Sequence, residues 1–246
     1  MIAVVGSTHD DILYFESIMA NKRKEVLFNR FDATIGTIFN QEVILVHQLF
    51  TSVLSSALIT HILNKYYISL VINVGRCASV DTKLKVGDII LSSRVIDVNV
   101  DLVGVTDAEI GQIPGFKRVF EVQNDIINYT KDGIHKRTFA SAVDATFLSS
   151  DNLSEQVLKQ LNERRSIFGE EENLVVDSTS AGVALACQLA DTPFIIVKSI
   201  EKPLEKETSI DNYLKVLDSY INLGKAVVST IGDIGRADIL KGGFTV

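Results

Sequence analysis

Seven short runs of β-branched residues punctuate the chain, and in each the apolar positions are consecutive. They are IAVV (2–5), EVILVHQ (42–48), SLVINVG (69–75), VGDIILSS (86–93), RTFASAV (137–143), ENLVVDS (172–178) and PFIIVKS (193–199). A strand with consecutive apolar residues is covered on both faces, as in a mainly parallel sheet between layers of helices. Between the runs the period becomes helical. SSALITHILNKYY (55–67) sets Leu58, Ile62, Leu63 and Tyr66 on one stripe, and SEQVLKQLNERRS (154–166) does so with Val157, Leu158 and Leu161. SAGVALACQLA (180–190) is small and apolar throughout, so it predicts a well-buried helix. The stretch 211–235 spaces Leu214, Leu217, Ile221 and Val227 along one face of a long closing helix.

This order predicts an α/β fold with three layers, α/β/α, around a central mixed, mainly parallel sheet. No linker is visible, so residues 1–235 are expected to form a single domain, with 236–246 a weakly patterned, partly disordered tail. In such sheets ligands bind beyond the carboxyl ends of the strands. That rule nominates Gly6–Asp11, Gln48–Ser52, Gly75–Ser79, Asp144–Phe147, Asp177–Ser180 and Lys198–Lys202. The aperiodic, glycine-containing stretch 99–118 is expected to be a functional or interfacial loop.

Composition narrows the partners. A hydrophobic share of 46% against 22% charged gives ample core and argues against disorder. The formal net charge of −7 disfavours nucleic acid and anionic membrane as partners. Two distant cysteines, Cys77 and Cys187, suit a reducing cytoplasm better than a disulfide framework. The opening MIAVVGSTHDD has no positive n-region and reads as a strand rather than a signal peptide, and no apolar run approaches membrane-spanning length. The histidines His9, His47, His61 and His135 lack partners at ligand spacing, and no nucleotide-phosphate loop appears. Neither a metal nor a cofactor is expected.

Specific motifs go further. VINVGRCASVDTKLKVGDIILSS (71–93) resembles the glycine loop, L-K-V-G-D element and following strand of the nucleoside phosphorylase and nucleosidase superfamily. GQIPGF (111–116) resembles a signature of its branch that hydrolyses methylthioadenosine and S-adenosylhomocysteine. The strand ending at Gly6, the VDATF segment and the VDSTSAGVALAC helix fall in that family's order, from residue 1 to about 225. The resemblance implies a homodimer that cleaves the N-glycosidic bond of a purine nucleoside with water, through a ribosyl-cation-like transition state. An acid protonates the leaving purine, one carboxylate positions the water, another holds the ribose hydroxyls, and an aromatic ring stacks on the base. Phosphorylases use phosphate instead of water and surround it with arginines.

Carried onto this chain, the water-orienting carboxylate is Asp11. From the chain alone, Asp11 is equally an acid in a helix first turn, favoured by the dipole. His9 beside it is a second polar pocket group or an exposed side chain. Arg76 replaces a small residue in the glycine loop, where it is a ready anion partner or pairs with a carboxylate. The phosphorylase arginine falls on Asn73, so that phosphate site is incomplete, and QLFTSV (48–53) lacks two glycines of close approach. Phe147 lies one residue from the base-stacking aromatic and is a stacker or a core residue.

Thr179 holds the place of the ribose glutamate, while Asp177 substitutes for it or caps the helix. Lys198 replaces the arginine that opens the acid motif. Lys202 stands in the acid's own position, with Glu201 one residue early. Neighbouring side chains in extended backbone point oppositely, so Glu201 takes over only if the strand twists. An ammonium at Lys202 needs a strongly lowered pKa to exchange protons near neutrality. Three readings stay open. One is a nucleosidase using Asp11 with Glu201 or Lys202. The second is a catalytically impaired nucleoside-binding homologue. The third is a phosphorylase-like enzyme with an anion site at Arg76, His9 and Lys202.

Overall fold

The computed structural model describes residues 1–80, 83–137, 142–169, 173–202 and 210–236. The elements in chain order begin with β1 (Ile2–Val5), α1 (His9–Ile18), β2 (Ala20–Leu27), β3 (Phe31–Ile38), β4 (Gln41–Val46) and α2 (Ser52–Lys65). There follow β5 (Leu70–Ser79), β6 (Ile89–Asp97), β7 (Phe120–Glu121), α3 (Asn124–Arg137) and β8 (Ala142–Ser149). The last are α4 (Glu155–Glu163), β9 (Leu174–Asp177), α5 (Ser180–Leu189), β10 (Phe194–Lys202) and α6 (Ile210–Arg236).

The consecutive apolar runs become strands with both faces in the core: every residue of β1 and β9 is buried, and in β5 all but Arg76. At the centre β4, β1, β5 and β10 are parallel neighbours. The sheet is mixed because β2–β3–β4 is an antiparallel meander, and because β10 runs antiparallel to β6 and β5 antiparallel to β9. The strand order is β10-β6-β8-β9-β5-β1-β4-β3-β2, with β7 on β6 and a further ladder from β10 to β5. That ladder closes β5, β9, β8, β6 and β10 into a ring, while β1, β4, β3 and β2 fan out as an open sheet.

Helices α1, α3 and α6 pack as one group and α2 with α5 as another. The small residues of α5 have a purpose there. A Cβ built on Gly182 would lie 2.0 Å from the carbonyl oxygen of Ser52, so α5 and α2 meet backbone to backbone. Helix α2 starts earlier than its apolar stripe because Thr51 caps it, accepting the Leu54 N–H at 3.2 Å.

Three features depart from the expected element list. Strand β2 reads ANKRKEVL and is exposed over most of its length, so it carries no apolar run. Helix α1 buries only Ile12 and Phe15 of its apolar residues, too sparse a stripe to stand out. Residues 124–137 form α3, with Ile126, Ile127 and Ile134 inward, and the strand expected over 137–143 runs instead from Ala142 to Ser149. The tail from 237 lies outside the described residues, as do the side chains of Leu214 and Leu217 on the closing helix.

Candidate active site

Asp11 enters the site from the first turn of α1, directly after β1. Its side chain is almost fully buried, and its Oδ2 accepts the backbone N–H of Ser7 at 2.9 Å and of Thr8 at 2.7 Å. Two amides and the helix N-terminus stabilise a carboxylate there. Its other oxygen, Oδ1, is buried and has no hydrogen-bond partner among the described residues. Two glycines leave room for this group. A Cβ on Gly6 would stand 2.7 Å from Asp11 Cβ, and one on Gly75 would stand 3.2 Å from Asp11 Cγ. Gly75 also has φ +137°, a conformation in which L side chains are strained.

The residue after Gly75 supplies the charge facing that open oxygen. Arg76 Nε lies 3.9 Å from Asp11 Oδ1, and its Nη1 donates to Glu201 Oε1 at 2.7 Å. The guanidinium carbon sits 5.5 Å from the ring centre of Tyr220 on α6. Burial opposes the arginine's charge, yet Glu201, Tyr220 and Asp11 outweigh it and raise its pKa. Burial likewise pushes the Tyr220 phenol upward, with Arg76 opposing.

Glu201 reaches Arg76 through an irregularity in β10. Ile200 pairs with Cys77 and Lys202 with Ala78, so Glu201 is an extra residue in the ladder. A bulge of this kind breaks the alternation of side chains and re-aims one of them. The strand thus breaks its alternation at Glu201, whose side chain turns to Arg76. The backbone of Lys202 closes the strand, and its side chain lies outside the described residues.

Beneath this cluster is a second, fully buried one. Lys198 Nζ donates to Asp177 Oδ2 and, at 2.8 Å, to Thr179 Oγ1. Thr179 Oγ1 lies 2.9 Å from Asp177 Oδ2 and 3.0 Å from Asn73 Oδ1, while Asn73 Nδ2 donates to the Val5 carbonyl at 3.1 Å. Asp177 also accepts from Ser180, from its N–H at 3.2 Å and from its hydroxyl at 2.5 Å. It thus serves as the start of α5 and as the partner of Lys198 together. The carbonyl ends of β1, β5, β9 and β10 meet in these two clusters, and β5 carries a member of each.

Other nominated residues are elsewhere. His9 is exposed, bonds Glu16 Oε2 at 2.9 Å and meets the His47 ring edge-on at 5.5 Å. Phe147 is fully buried in the main core, with Val95 and Val175 as ladder partners, and no face of its ring is exposed for stacking. Conversely, Tyr220 belongs to the cluster and had no local signal, since only the packing of α6 brings it there.

Residues 2–231 match the profile of the "Phosphorylase superfamily". The chain belongs to this superfamily. Among members, the 5'-methylthioadenosine/S-adenosylhomocysteine nucleosidase of Bacillus subtilis is 25% identical over 216 residues, 87% of this chain and 91% of that protein. The nucleosidase of the same name from a Marinomonas species is 24% identical, covering 88% and 92%. Among solved superfamily structures, the Neisseria meningitidis nucleosidase in complex with methylthio-immucillin-A superimposes with a TM-score of 0.82 at 23% identity, covering 94% of this chain and 98% of that one. The futalosine hydrolase of Helicobacter pylori superimposes with a TM-score of 0.81 at 19% identity, covering 94% and 97%.

Proposed function

We propose that this superfamily member is a purine nucleosidase, cleaving the N-glycosidic bond of a (thio)nucleoside such as methylthioadenosine or S-adenosylhomocysteine by water attack. The observation that carries this reading is the half-satisfied carboxylate of Asp11. One oxygen is fixed by two amides; the other is buried and accepts no hydrogen bond among the described residues, with the Arg76 Nε at 3.9 Å beyond hydrogen-bonding reach. An unpaired buried acceptor costs about 1–3 kcal/mol, which a bound water's hydrogen would relieve. Such a water would keep a lone pair for the anomeric carbon. As its C–O bond forms and the C–N bond breaks, Asp11 receives the water's proton and the base leaves with the bond's electrons. The base needs a proton in turn, for which Glu201 and Lys202 are the candidate acids. Glu201, paired with Arg76 as a carboxylate, must release the guanidinium and take up a proton from solvent before it can act. The names of the relatives support the substrate class.

The proposed assembly is a homodimer. Phe50 and Val53 stand exposed at the start of α2, and Val103 and Val105 on the segment rooted at Asn99, whose Nδ2 lies 3.3 Å from Ser52 Oγ. The proposed setting is the cytoplasm, in keeping with two free, buried cysteines.

One observation favours a second reading, a nucleoside-binding homologue with little turnover. Thr179, at the position of the ribose carboxylate, is fully buried with three polar partners, so its hydroxyl is not presented to a sugar. Adenine release from both thionucleosides, followed for hours at high protein concentration, decides between them. The nucleosidase reading expects release well above a blank without protein, and an Asp11→Asn rate lower by about 10²–10⁴-fold. Release equal to the blank, with ligand-induced thermal shifts retained, leaves the binding reading.

A further inference from the structure

We infer that Arg76 is an oxyanion anchor in this pocket and that Glu201 is its resident occupant, displaced when a ligand's oxyanion arrives. This rests on the reading of the strand ends as the ligand site, and it adds a charge requirement for what binds there. The guanidinium is a planar fork that matches a two-oxygen anion edge to edge. Its Nε side lies toward Asp11 at 3.9 Å and its Nη1 is spent on Glu201 at 2.7 Å. The anchor cannot drift. Arg76 pairs with Ser199 inside the β5–β10 ladder, and Tyr220 backs the guanidinium at 5.5 Å.

The occupant is far less constrained. Glu201 is the bulged residue near the end of β10, and its side chain is 44% exposed, against 30% for Arg76. Partly exposed ion pairs of this kind are weak, so an external carboxylate or phosphate can exchange with Glu201 at little cost. Asp11 fixes where the exchange happens. It repels an anion from its own side and holds the arginine toward it, which directs the newcomer to the Glu201 side. The carboxylate–guanidinium–carboxylate row seen within the chain is thus the arrangement a bound oxyanion would reproduce. Two sources share this chemistry: inorganic phosphate as co-reactant, or a carboxylate carried by the nucleoside itself.

The test uses the full chain with inorganic phosphate as probe, titrated calorimetrically. The two ends of one ion pair should respond with opposite sign. Glu201→Gln removes the internal competitor and should tighten phosphate binding about 2- to 5-fold. Arg76→Gln should weaken it by at least about tenfold. Arg76→Lys, which keeps charge without the fork, should fall between, and circular dichroism confirms that each variant is folded. Phosphate binding that is absent from the wild type, unchanged by Arg76→Gln, or weakened by both variants alike overturns the proposal. Source is read from nucleoside cleavage. Acceleration by phosphate that vanishes in Arg76→Gln assigns the anion to the co-reactant, which takes the place of water on the anomeric carbon. A preference for S-adenosylhomocysteine, which bears a carboxylate, over methylthioadenosine, lost in the same variant, assigns it to the substrate. Because phosphate binding is measured without turnover, a protein that binds but releases no adenine refutes the nucleosidase reading alone.

Discussion

Replacing Lys198 by methionine tests the buried network under the site. The lysine side chain is 1% exposed and bonds Asp177 Oδ2 and Thr179 Oγ1. Methionine has a similar stem and no charge, so packing is largely kept while Asp177 loses its cation. The carboxylate retains the Ser180 N–H at 3.2 Å and the Ser180 hydroxyl at 2.5 Å. Removing one partner of a buried pair costs about 3–5 kcal/mol, and these remaining donors place this case in the lower half, about 3–4. That is a large share of the roughly 5–15 kcal/mol that holds a domain folded. With a urea slope of about 3 kcal/mol per molar, the unfolding midpoint should drop by about 1 M. Circular dichroism in urea reads this directly. The double variant Lys198→Met with Asp177→Asn removes the stranded charge and should recover part of the loss, giving a coupling of about 1–3 kcal/mol. A midpoint shift under about 0.3 M for Lys198→Met, or strictly additive losses in the cycle, would show that the pair does not hold this part of the fold.

Other consequences can be measured in the same way. Hydrogen bonds from Lys24 and His9 hold the Glu16 carboxyl down at about 2, below its unfolded value of about 4.3. The stability it contributes is complete above that unfolded value and is lost as pH falls towards 2. The gap between wild type and Glu16→Gln in urea midpoint should therefore close across this window, and curves that stay parallel from pH 6 to 2 would contradict it. Gly182→Ala should cost about 1–3 kcal/mol or more, because the added Cβ would sit 2.0 Å from the Ser52 oxygen and force α2 from α5. A thermal midpoint equal to that of the wild type would refute this close contact.

What the chain revealed in advance follows from what each element has to bury. β1, β5 and β9 are covered on both faces and need consecutive apolar residues, so they were readable. β2 lies at the sheet edge and needs almost none, and its lysines and arginine conceal it. The rule about strand ends nominated the stretches that hold Asp11, Arg76, Asp177, Lys198 and Glu201, the residues of the two polar clusters. Their pairings were not readable. That Lys198 takes Asp177, and Arg76 takes Glu201, depends on ladder register and on a bulge. Tyr220 comes from a helix distant in sequence, and no spacing rule reaches it. The closed ring of strands was equally hidden, because the β10–β5 ladder is a tertiary choice made after both strands exist.

The ring has a bearing on how such a pocket can change over time. β5 lies between β1 and β10, and β10 between β5 and β6, so both are stitched along each edge. Sliding either strand by one residue would break two ladders and turn its core face outward. Backbone movement is thus a closed route to new specificity here, and exchange of side chains is the open one. Exchanges within a buried charged pair are not independent, because either member alone is left without its counter-charge. The fully buried pair of Lys198 and Asp177 is the clearest case, so positions 177 and 198 should vary together among descendants of this chain, cation with acid or neutral with neutral.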